Sequence, residues 1–336
     1  MLRYLIKRLL VLIPTFIGIT VITFVVIRLA PGDPAALKLR KGQGVMASDR
    51  AVHEVLEQTR RLYGLDRPMP IQYLLWVKRV VTFDFGTSYK DHRLVLTKIK
   101  EALPITLLLN VLTIFIIYFI SVPWGIFTAL APNDFWDRFS SVVLFILYSL
   151  PSFWVAILLI IYLGGGDYLN LFPIVGIVSS GAESLPWFGK VWNVAWHLVL
   201  PVICLTYGGF AFLARFSRAT MLEVIHQDYI RTARAKGLSR FRVLFHHAFR
   251  NALIPQLTLL GTLLPALLGG SVIVEQIFAI PGMGRLGFEA VLGRDYPVIM
   301  AIATISALLT LVSLLLSDFL YMVVDPRIAF ERKGVR

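Results

Sequence analysis

The sequence predicts an all-α membrane protein with six transmembrane helices. Hydrophobic residues make up 57% of the 336 residues, and charged residues only 16%, against about 25% charged in soluble domains. The chain also contains six apolar stretches of the roughly 20 residues that a helix needs to cross a bilayer. These stretches are Leu9–Ala30, Leu103–Ala131, Phe139–Leu163, Leu198–Thr220, Leu253–Ile280 and Pro297–Val323.

The distribution of Lys and Arg predicts the orientation of these spans. Basic residues are concentrated at the N-terminus, in the loop between the fourth and fifth spans, and in the tail. Short loops rich in Lys and Arg stay in the cytoplasm, so we expect both termini to be cytoplasmic. This rule also accounts for the net charge of +13 without a nucleic-acid partner, for which the chain has no binding motif.

The spans divide the chain into four parts. Residues 1–30 form an N-terminal anchor helix, and residues 31–101 an external (periplasmic) subdomain. That subdomain is basic, but the charge rule weakens for loops beyond about 60 residues. A five-helix core follows over 102–323 with a cytoplasmic loop at 221–251, and residues 324–336 form a cytoplasmic tail.

The cytoplasmic loop contains a predicted short helix. Asp228 is a favourable N-cap and Gly237 is typical of the residue just after a helix, so Tyr229–Lys236 is expected to form two turns. Ser239 is then placed to cap a second helix. On spacing alone, this loop is either a docking element for a partner or a solvated basic loop that only fixes topology.

The same loop resembles the coupling loop of ABC importer permeases. The general pattern in that family is E-A-A-x-x-x-G followed by an apolar-Pro pair, here Ile254-Pro255. The chain keeps Ala233 and Gly237 but has Arg231 and Thr232 in place of Glu and Ala. This departure is similar to the dipeptide/oligopeptide/nickel branch of the family.

Further segments resemble the same branch. They are Pro31-Gly-Asp-Pro34, Tyr63-Gly-Leu-Asp66, Phe83–Gly86, Pro281-Gly-Met-Gly284, Arg294-Asp-Tyr-Pro297 and Asp325-Pro-Arg327. Within the branch, Leu171-Phe-Pro173 and Ser184-Leu-Pro-Trp187 most resemble the Yej-type oligopeptide and microcin C permeases.

The resemblance implies a permease subunit that moves oligopeptides or peptide-like compounds through the inner membrane by alternating access. It implies four kinds of partner: a second homologous permease, two ATP-binding subunits, an external substrate-binding protein and the peptide itself, all working in a lipid bilayer without a cofactor. The implied ATPase-coupling helix consists of Tyr229, Ile230, Arg231, Thr232, Ala233, Arg234, Ala235, Lys236 and Gly237. We expect Tyr229, Ile230, Ala233 and Ala235 to be buried in the ATPase groove.

Three alternatives remain to be weighed. A sugar, nickel or glutathione substrate is compatible with the same importer class. A secondary transporter would combine inverted repeats with interrupted helices. An enzyme is disfavoured because the chain has no G-x-x-x-x-G-K-[ST] motif, no G-x-S-x-G motif and no metal-binding pattern, since His246 and His247 are adjacent and point about 100° apart on a helix.

Ionisable residues within spans are functional candidates by default. Three occur here, Arg28, Glu275 and Asp318; the alternative for each is an interfacial residue whose charged group reaches water. We expect Glu275 to be satisfied by a cationic or hydrogen-bonding partner, with Arg28 as the first candidate.

Overall fold

The structure is a computed structural model that describes residues 2–29, 67–164, 168–263 and 270–324. Within these ranges it is helical, and the only strand-like pairing is an isolated bridge between Thr87 and Leu94. The helices are α1 Leu2–Leu29, α2 Met69–Val81, α3 Val95–Leu130, α4 Phe135–Ser149, α5 Ser152–Leu159, α6 Trp187–Ile225, α7 Asp228–Ala235, α8 Arg240–Arg242, α9 Arg250–Leu263, α10 Val272–Ile277, α11 Met283–Gly293 and α12 Tyr296–Val324. A 3₁₀ turn lies at Ala182–Ser184, and π-helical turns lie at Ile160–Gly164 and Val243–Phe249.

The predicted all-α membrane fold is confirmed. In the described part of the chain, α3, α6 and Tyr296–Ser317 of α12 are long and apolar enough to cross a membrane, and Leu10–Val26 of α1 is a shorter apolar helix. Helix α6 has 39 residues, a length of roughly 58 Å at 1.5 Å per residue. Since the hydrocarbon core is only about 30 Å thick, this helix also extends beyond it.

The third predicted span is broken, so its prediction as one continuous helix is wrong. Helix α4 and the segment Ser152–Gly164 meet at 95°. The break falls at Pro151, which has no N–H to donate and forces the preceding residue out of the helical region. The Tyr207 hydroxyl donates to the freed Leu150 carbonyl at 2.6 Å, which satisfies the backbone at the bend.

The fifth predicted span is not one helix either. Helix α9 covers its first part, but Gly270 has a φ of +65° and Ser271 is extended, so the chain leaves the helical conformation before α10 begins. Gly270 tolerates this left-handed conformation because it has no Cβ. The prediction of a continuous Leu253–Ile280 helix is therefore wrong at Gly270–Ser271.

The chain forms two compact units, the first made of Met1–Pro104 and Leu286–Val312. Its core surrounds Phe24, which is 2% exposed and packs against Met300 and the rings of Tyr73 and Trp76. The buried Asp295 carboxylate accepts from the Ser88 hydroxyl and the Tyr89 amide.

A partly buried ion pair in the same unit joins Lys98 to Asp91 at 2.8 Å. Partial burial raises the pKa of Asp91, but hydrogen bonds from Lys98, from Ser88 and from the Arg93 backbone lower it to about 2. The ionised carboxylate is thus the form that the folded chain stabilises.

The second unit comprises Ile105–Arg285 and Ser313–Arg336. One of its buried clusters joins α3, α6, α7, the π-helical turn and α9. Small residues allow close approach there: a Cβ on Gly125 of α3 would lie 2.5 Å from the Ala214 carbonyl oxygen of α6. Close contact through small residues is how membrane helices pack without a hydrophobic driving force.

A buried ion pair joins α4 to α6. Arg218 donates two hydrogen bonds to Asp137, at 2.6 and 2.7 Å, and the Asn133 amide donates a third at 2.9 Å. The side chain of Asp137 is 5% exposed and that of Arg218 is 28% exposed. The paired geometry satisfies a carboxylate that would otherwise be costly to bury.

Candidate functional site

The short helix of the cytoplasmic loop exists, with a different first residue from the one predicted. Helix α7 begins at Asp228, and the N-cap is Gln227, which makes no side-chain cap hydrogen bond. The prediction of Asp228 as N-cap is therefore wrong by one position. Asp228 instead lies in the first turn, where its negative charge is favourable to the helix dipole.

The end of α7 is as predicted. Gly237 has a φ of +76°, and its amide donates to the Arg234 carbonyl at 3.0 Å while the Leu238 amide donates to the Ala233 carbonyl at 3.4 Å. These two bonds form a Schellman motif, which terminates a helix through a left-handed residue. A Cβ on Gly237 would meet no atom within 4 Å, so the requirement for glycine here is conformational rather than steric.

One face of α7 is buried inside the permease itself. Ile230 is 0% exposed and Ala233 is 7% exposed, and both belong to the cluster formed by α3, α6 and α9. The expectation that these two residues enter a partner's groove is therefore wrong. A helix of eight residues has little stability alone, and this apolar face is what fixes α7 to the chain.

The opposite face of α7 is open to solvent. Tyr229, Arg231, Thr232, Ala235 and Lys236 are exposed, as are Arg234 and Gly237. Tyr229 is also tied to α9, because its hydroxyl accepts from the Asn251 amide at 2.9 Å. The helix is thus held rigidly from one side and free to contact a partner on the other.

The second helix of the loop starts as predicted, since the Ser239 hydroxyl accepts from the Arg242 amide. The helix then widens into the π-helical turn Val243–Phe249 before α9. Sequence reasoning did not find that Phe241 and Phe245 would be 71% and 45% exposed, with ring centroids 4.5 Å apart. The sequence carries no signal for this orientation, because apolar residues at helical spacing can face either the core or the surface.

Glu275 is the second site that the structure resolves. Its carboxylate is 1% exposed and accepts from the Thr106 hydroxyl at 3.1 Å and the Arg285 amide at 2.9 Å. The Met283 amide donates to the same Thr106 hydroxyl at 2.8 Å. The expected hydrogen-bonding partners of Glu275 are therefore present.

Glycines of the Pro281-Gly-Met-Gly284 motif close around this carboxylate. A Cβ on Gly282 would lie 2.5 Å from Glu275 Oε2, and one on Gly284 would lie 3.0 Å from the same oxygen. The motif and the buried acid, which were separate features of the sequence, form one structural unit. Small residues are required where the backbone approaches the carboxylate this closely.

The other two ionisable candidates, Arg28 and Asp318, have side chains that lie outside the described part of the structure. The pairing of Arg28 with Glu275 therefore stays a prediction. In the described ranges, no group of three or more His, Cys, Asp or Glu side chains is arranged to hold a metal ion.

Comparison with known families identifies the class. Residues 121–330 match the model for the binding-protein-dependent transport system inner membrane component, and residues 1–110 match the N-terminal model for membrane components of the same systems. The chain belongs to this family. Its members are transport components, so the chain is a membrane permease subunit rather than an enzyme.

Individual relatives agree over the full length. The oligopeptide transport system permease protein AppB of Bacillus subtilis is 41% identical and covers 98% of this chain and 100% of its own. The inner membrane ABC transporter permease protein YejB of Escherichia coli O157:H7 is 37% identical, covering 98% and 99%. The dipeptide transport system permease protein DppB of Bacillus subtilis is 36% identical, covering 99% and 100%. The predicted branch is therefore confirmed.

A solved structure supports the fold. A chain of the MetNI methionine ABC transporter in inward-facing conformations superposes with a TM-score of 0.53 at 18% identity, covering 68% of this chain and 97% of that one. At this identity the likeness establishes the ABC importer membrane fold and nothing about substrate.

Proposed function

We propose that this chain is the permease subunit of an ATP-driven importer of oligopeptides or peptide-like compounds, and that α7 couples it to the ATPase. The observation that carries the coupling role is that α7 is buried on one face and exposed on the other. Ile230 and Ala233 anchor the helix in the permease core, while Tyr229, Arg231 and Ala235 are exposed. A helix held in this way transmits a push as a rigid body to the helices on which it is packed.

The proposed assembly contains this chain, a second homologous permease, two ATP-binding subunits and an external binding protein. Both termini and α7 face the cytoplasm, and residues 31–101 lie outside with the binding protein. Impermeant thiol labelling in intact cells tests this orientation, because the single native Cys204 is buried. Ser48→Cys should label strongly and Gly334→Cys should not; the reverse pattern contradicts the orientation.

The peptide substrate is proposed from the names of the relatives, which are oligopeptide and dipeptide permeases. No observation on this chain favours the sugar, nickel or glutathione alternatives. Uptake of labelled tri- to pentapeptides by the reconstituted importer, with competition by each alternative substrate, tests the assignment. Uptake of a sugar, nickel or glutathione that added peptides do not inhibit would contradict the peptide assignment.

The coupling role can be tested with two alanines of the same helix. Ala235 is exposed, so Ala235→Trp should leave the permease folded but hold an ATPase subunit away from α7. Uptake should fall at least about tenfold, as expected for a loss above 1.4 kcal/mol of docking energy. Co-purification of the ATPase and peptide uptake in vesicles are the measurements, and Ala235→Ser is the matched control.

Ala233→Trp should behave differently. Ala233 is 7% exposed within the core, and overpacking such a site costs about 1–3 kcal/mol. This variant should lower the permease's own thermal stability, whereas Ala235→Trp should not. Wild-type uptake by Ala235→Trp would overturn the assignment of the exposed face as the coupling surface.

A further inference from the structure

A cavity of about 490 Å³ lies behind α7. Its volume falls within the roughly 300–1,000 Å³ range of small-molecule sites in proteins. Polar and apolar atoms contribute about equally to its wall, and the apolar part comes from the ends of α3 and α6 and from the π-helical turn, with Leu130, Leu222 and Leu244 among the lining side chains. Ile230, on the buried face of α7, also lines it.

The polar side chains that line this cavity are two arginines and one histidine. Arg234, Arg240 and His226 line it, and none of the lining residues is acidic. Both arginines are largely exposed, so their guanidinium groups remain available to a ligand. An apolar wall with a basic rim is complementary to a molecule that has an apolar body and an anionic head, since an arginine binds phosphate or carboxylate through paired hydrogen bonds.

The cavity lies next to a cluster of exposed aromatic residues at the start of α4. Leu130 and Pro132 line it, and the chain then enters α4, where Phe135, Trp136 and Phe139 are 67%, 60% and 51% exposed. Exposed aromatic residues of this kind are enriched at membrane–water interfaces. The cavity therefore adjoins the headgroup layer, which on the cytoplasmic side is rich in anionic lipids.

We propose that this cavity binds an anionic phospholipid of the cytoplasmic leaflet, with one acyl chain against Leu130, Leu222 and Leu244 and the phosphate on Arg234 and Arg240. The chain's own tail is a poor occupant on charge, because the residues after Val324 carry four Lys or Arg against two acids. A bound acyl chain packs against Leu222 and Leu244, which themselves pack against the cluster that contains Ile230, and so supports α7 from behind. The lipid site rests on the cytoplasmic placement of the loop and is independent of the substrate.

The test is lipid binding to the purified full-length chain by native mass spectrometry. Dioleoylphosphatidylglycerol is the probe, and dioleoylphosphatidylcholine has the same acyl chains with a neutral head. The wild-type chain should bind the anionic lipid about tenfold more tightly than the zwitterionic one, because both heads carry a phosphate but the zwitterionic head adds a choline cation that the two arginines repel. Equal binding of both lipids would overturn the proposal.

Two variants separate the head site from the chain site. Arg240→Gln should remove about a tenfold preference for the anionic lipid, whereas Arg242→Gln, an exposed arginine outside the cavity lining, should leave it unchanged. Leu244→Trp should lower binding of the anionic lipid by filling the cavity with both rim arginines intact. A similar loss in Arg242→Gln, or no loss in Arg240→Gln, would refute the head site.

A photo-crosslinking measurement covers the case in which Leu244→Trp does not fold. An anionic lipid with a photoreactive group in its acyl chain should label peptides that contain Leu222 or Leu244 in the wild-type chain. Added inorganic phosphate should not abolish this labelling. Labelling elsewhere only, or full competition by phosphate, would refute the acyl-chain site. Because none of these measurements involves transport, their failure is distinguishable from failure of the coupling proposal.

Discussion

The Asp137–Arg218 pair should be a large single contribution to the stability of the second unit. Arg218→Gln leaves a carboxylate that is 5% exposed and keeps the hydrogen bond from the Asn133 amide. Removing one partner of a buried pair costs about 3–5 kcal/mol. Because the Arg218 side chain is 28% exposed, we expect the lower end, about 3 kcal/mol.

Asp137→Asn should cost less than Arg218→Gln. The guanidinium left behind can turn toward water through its exposed fraction, so we expect about 1.5–2 kcal/mol, the lower end of the range for a hydrogen bond to a charged group. In the double variant neither charge is left buried and unpaired. The two single effects should then exceed the double effect, with a coupling energy of about 1–2 kcal/mol, as found for residues in direct contact.

The assay is unfolding of the purified chain in mixed micelles by increasing denaturing detergent, followed by tryptophan fluorescence. The Lys90–Glu289 pair is the matched control, since its atoms lie 3.4 Å apart and its side chains are 49% and 37% exposed. Exposed pairs couple by about 0–1 kcal/mol. The reasoning would be refuted if the effects of the two single variants at Asp137 and Arg218 add to the double effect within about 0.5 kcal/mol. It would also be refuted if their coupling energy is no larger than that of the control pair.

Three further predictions concern backbone fit and pH. Gly237→Ala should cost about 1–2 kcal/mol because an L side chain is strained at positive φ, and Gly237→Asn should cost less; equal melting temperatures for all three chains would contradict the left-handed cap. Gly282→Ala should lower the melting temperature because its Cβ would lie 2.5 Å from the Glu275 carboxylate. Gly287→Ala is the control and should not lower it, because its Cβ would meet its first neighbour at 3.8 Å. Equal effects of the two variants would refute the packing argument. The stabilisation from Asp91 should be complete above its ordinary pKa of 3.8 and be lost as the pH falls through about 2. An Asp91→Asn chain should therefore be less stable than wild type at pH 6, and most of this difference should be gone near pH 2. A constant difference in melting temperature across this range would contradict the prediction.

Much of the fold was readable from the sequence because it depends on local chemistry. The apolar stretches of α3, α6 and α12 are long enough to identify each as a helix, since only helices satisfy their own backbone within a bilayer. The end of α7 was equally local, because Gly237 is favoured where φ is positive. The cap at Ser239 followed from the same kind of rule.

Breaks within spans were less predictable. Pro151 interrupts the third span at 95°, yet Pro14 and Pro201 lie inside continuous helices. The difference depends on whether neighbouring groups can satisfy the backbone at a break. At Leu150 the Tyr207 hydroxyl does so by donating to the carbonyl oxygen. A sequence lists the prolines but not the groups that will surround them.

What the sequence by itself determined is the membrane class, the short helix of the loop and its terminating glycine. What only the tertiary structure decided is which side of that helix is free. Ile230 and Ala233 are apolar and small enough for either a partner's groove or the chain's own core, and their burial depends on where α3, α6 and α9 come together. In the same way, the hydrogen bond from Thr106 to Glu275 joins residues 169 positions apart, because burial of a carboxylate requires donors from whichever segments the fold brings to it.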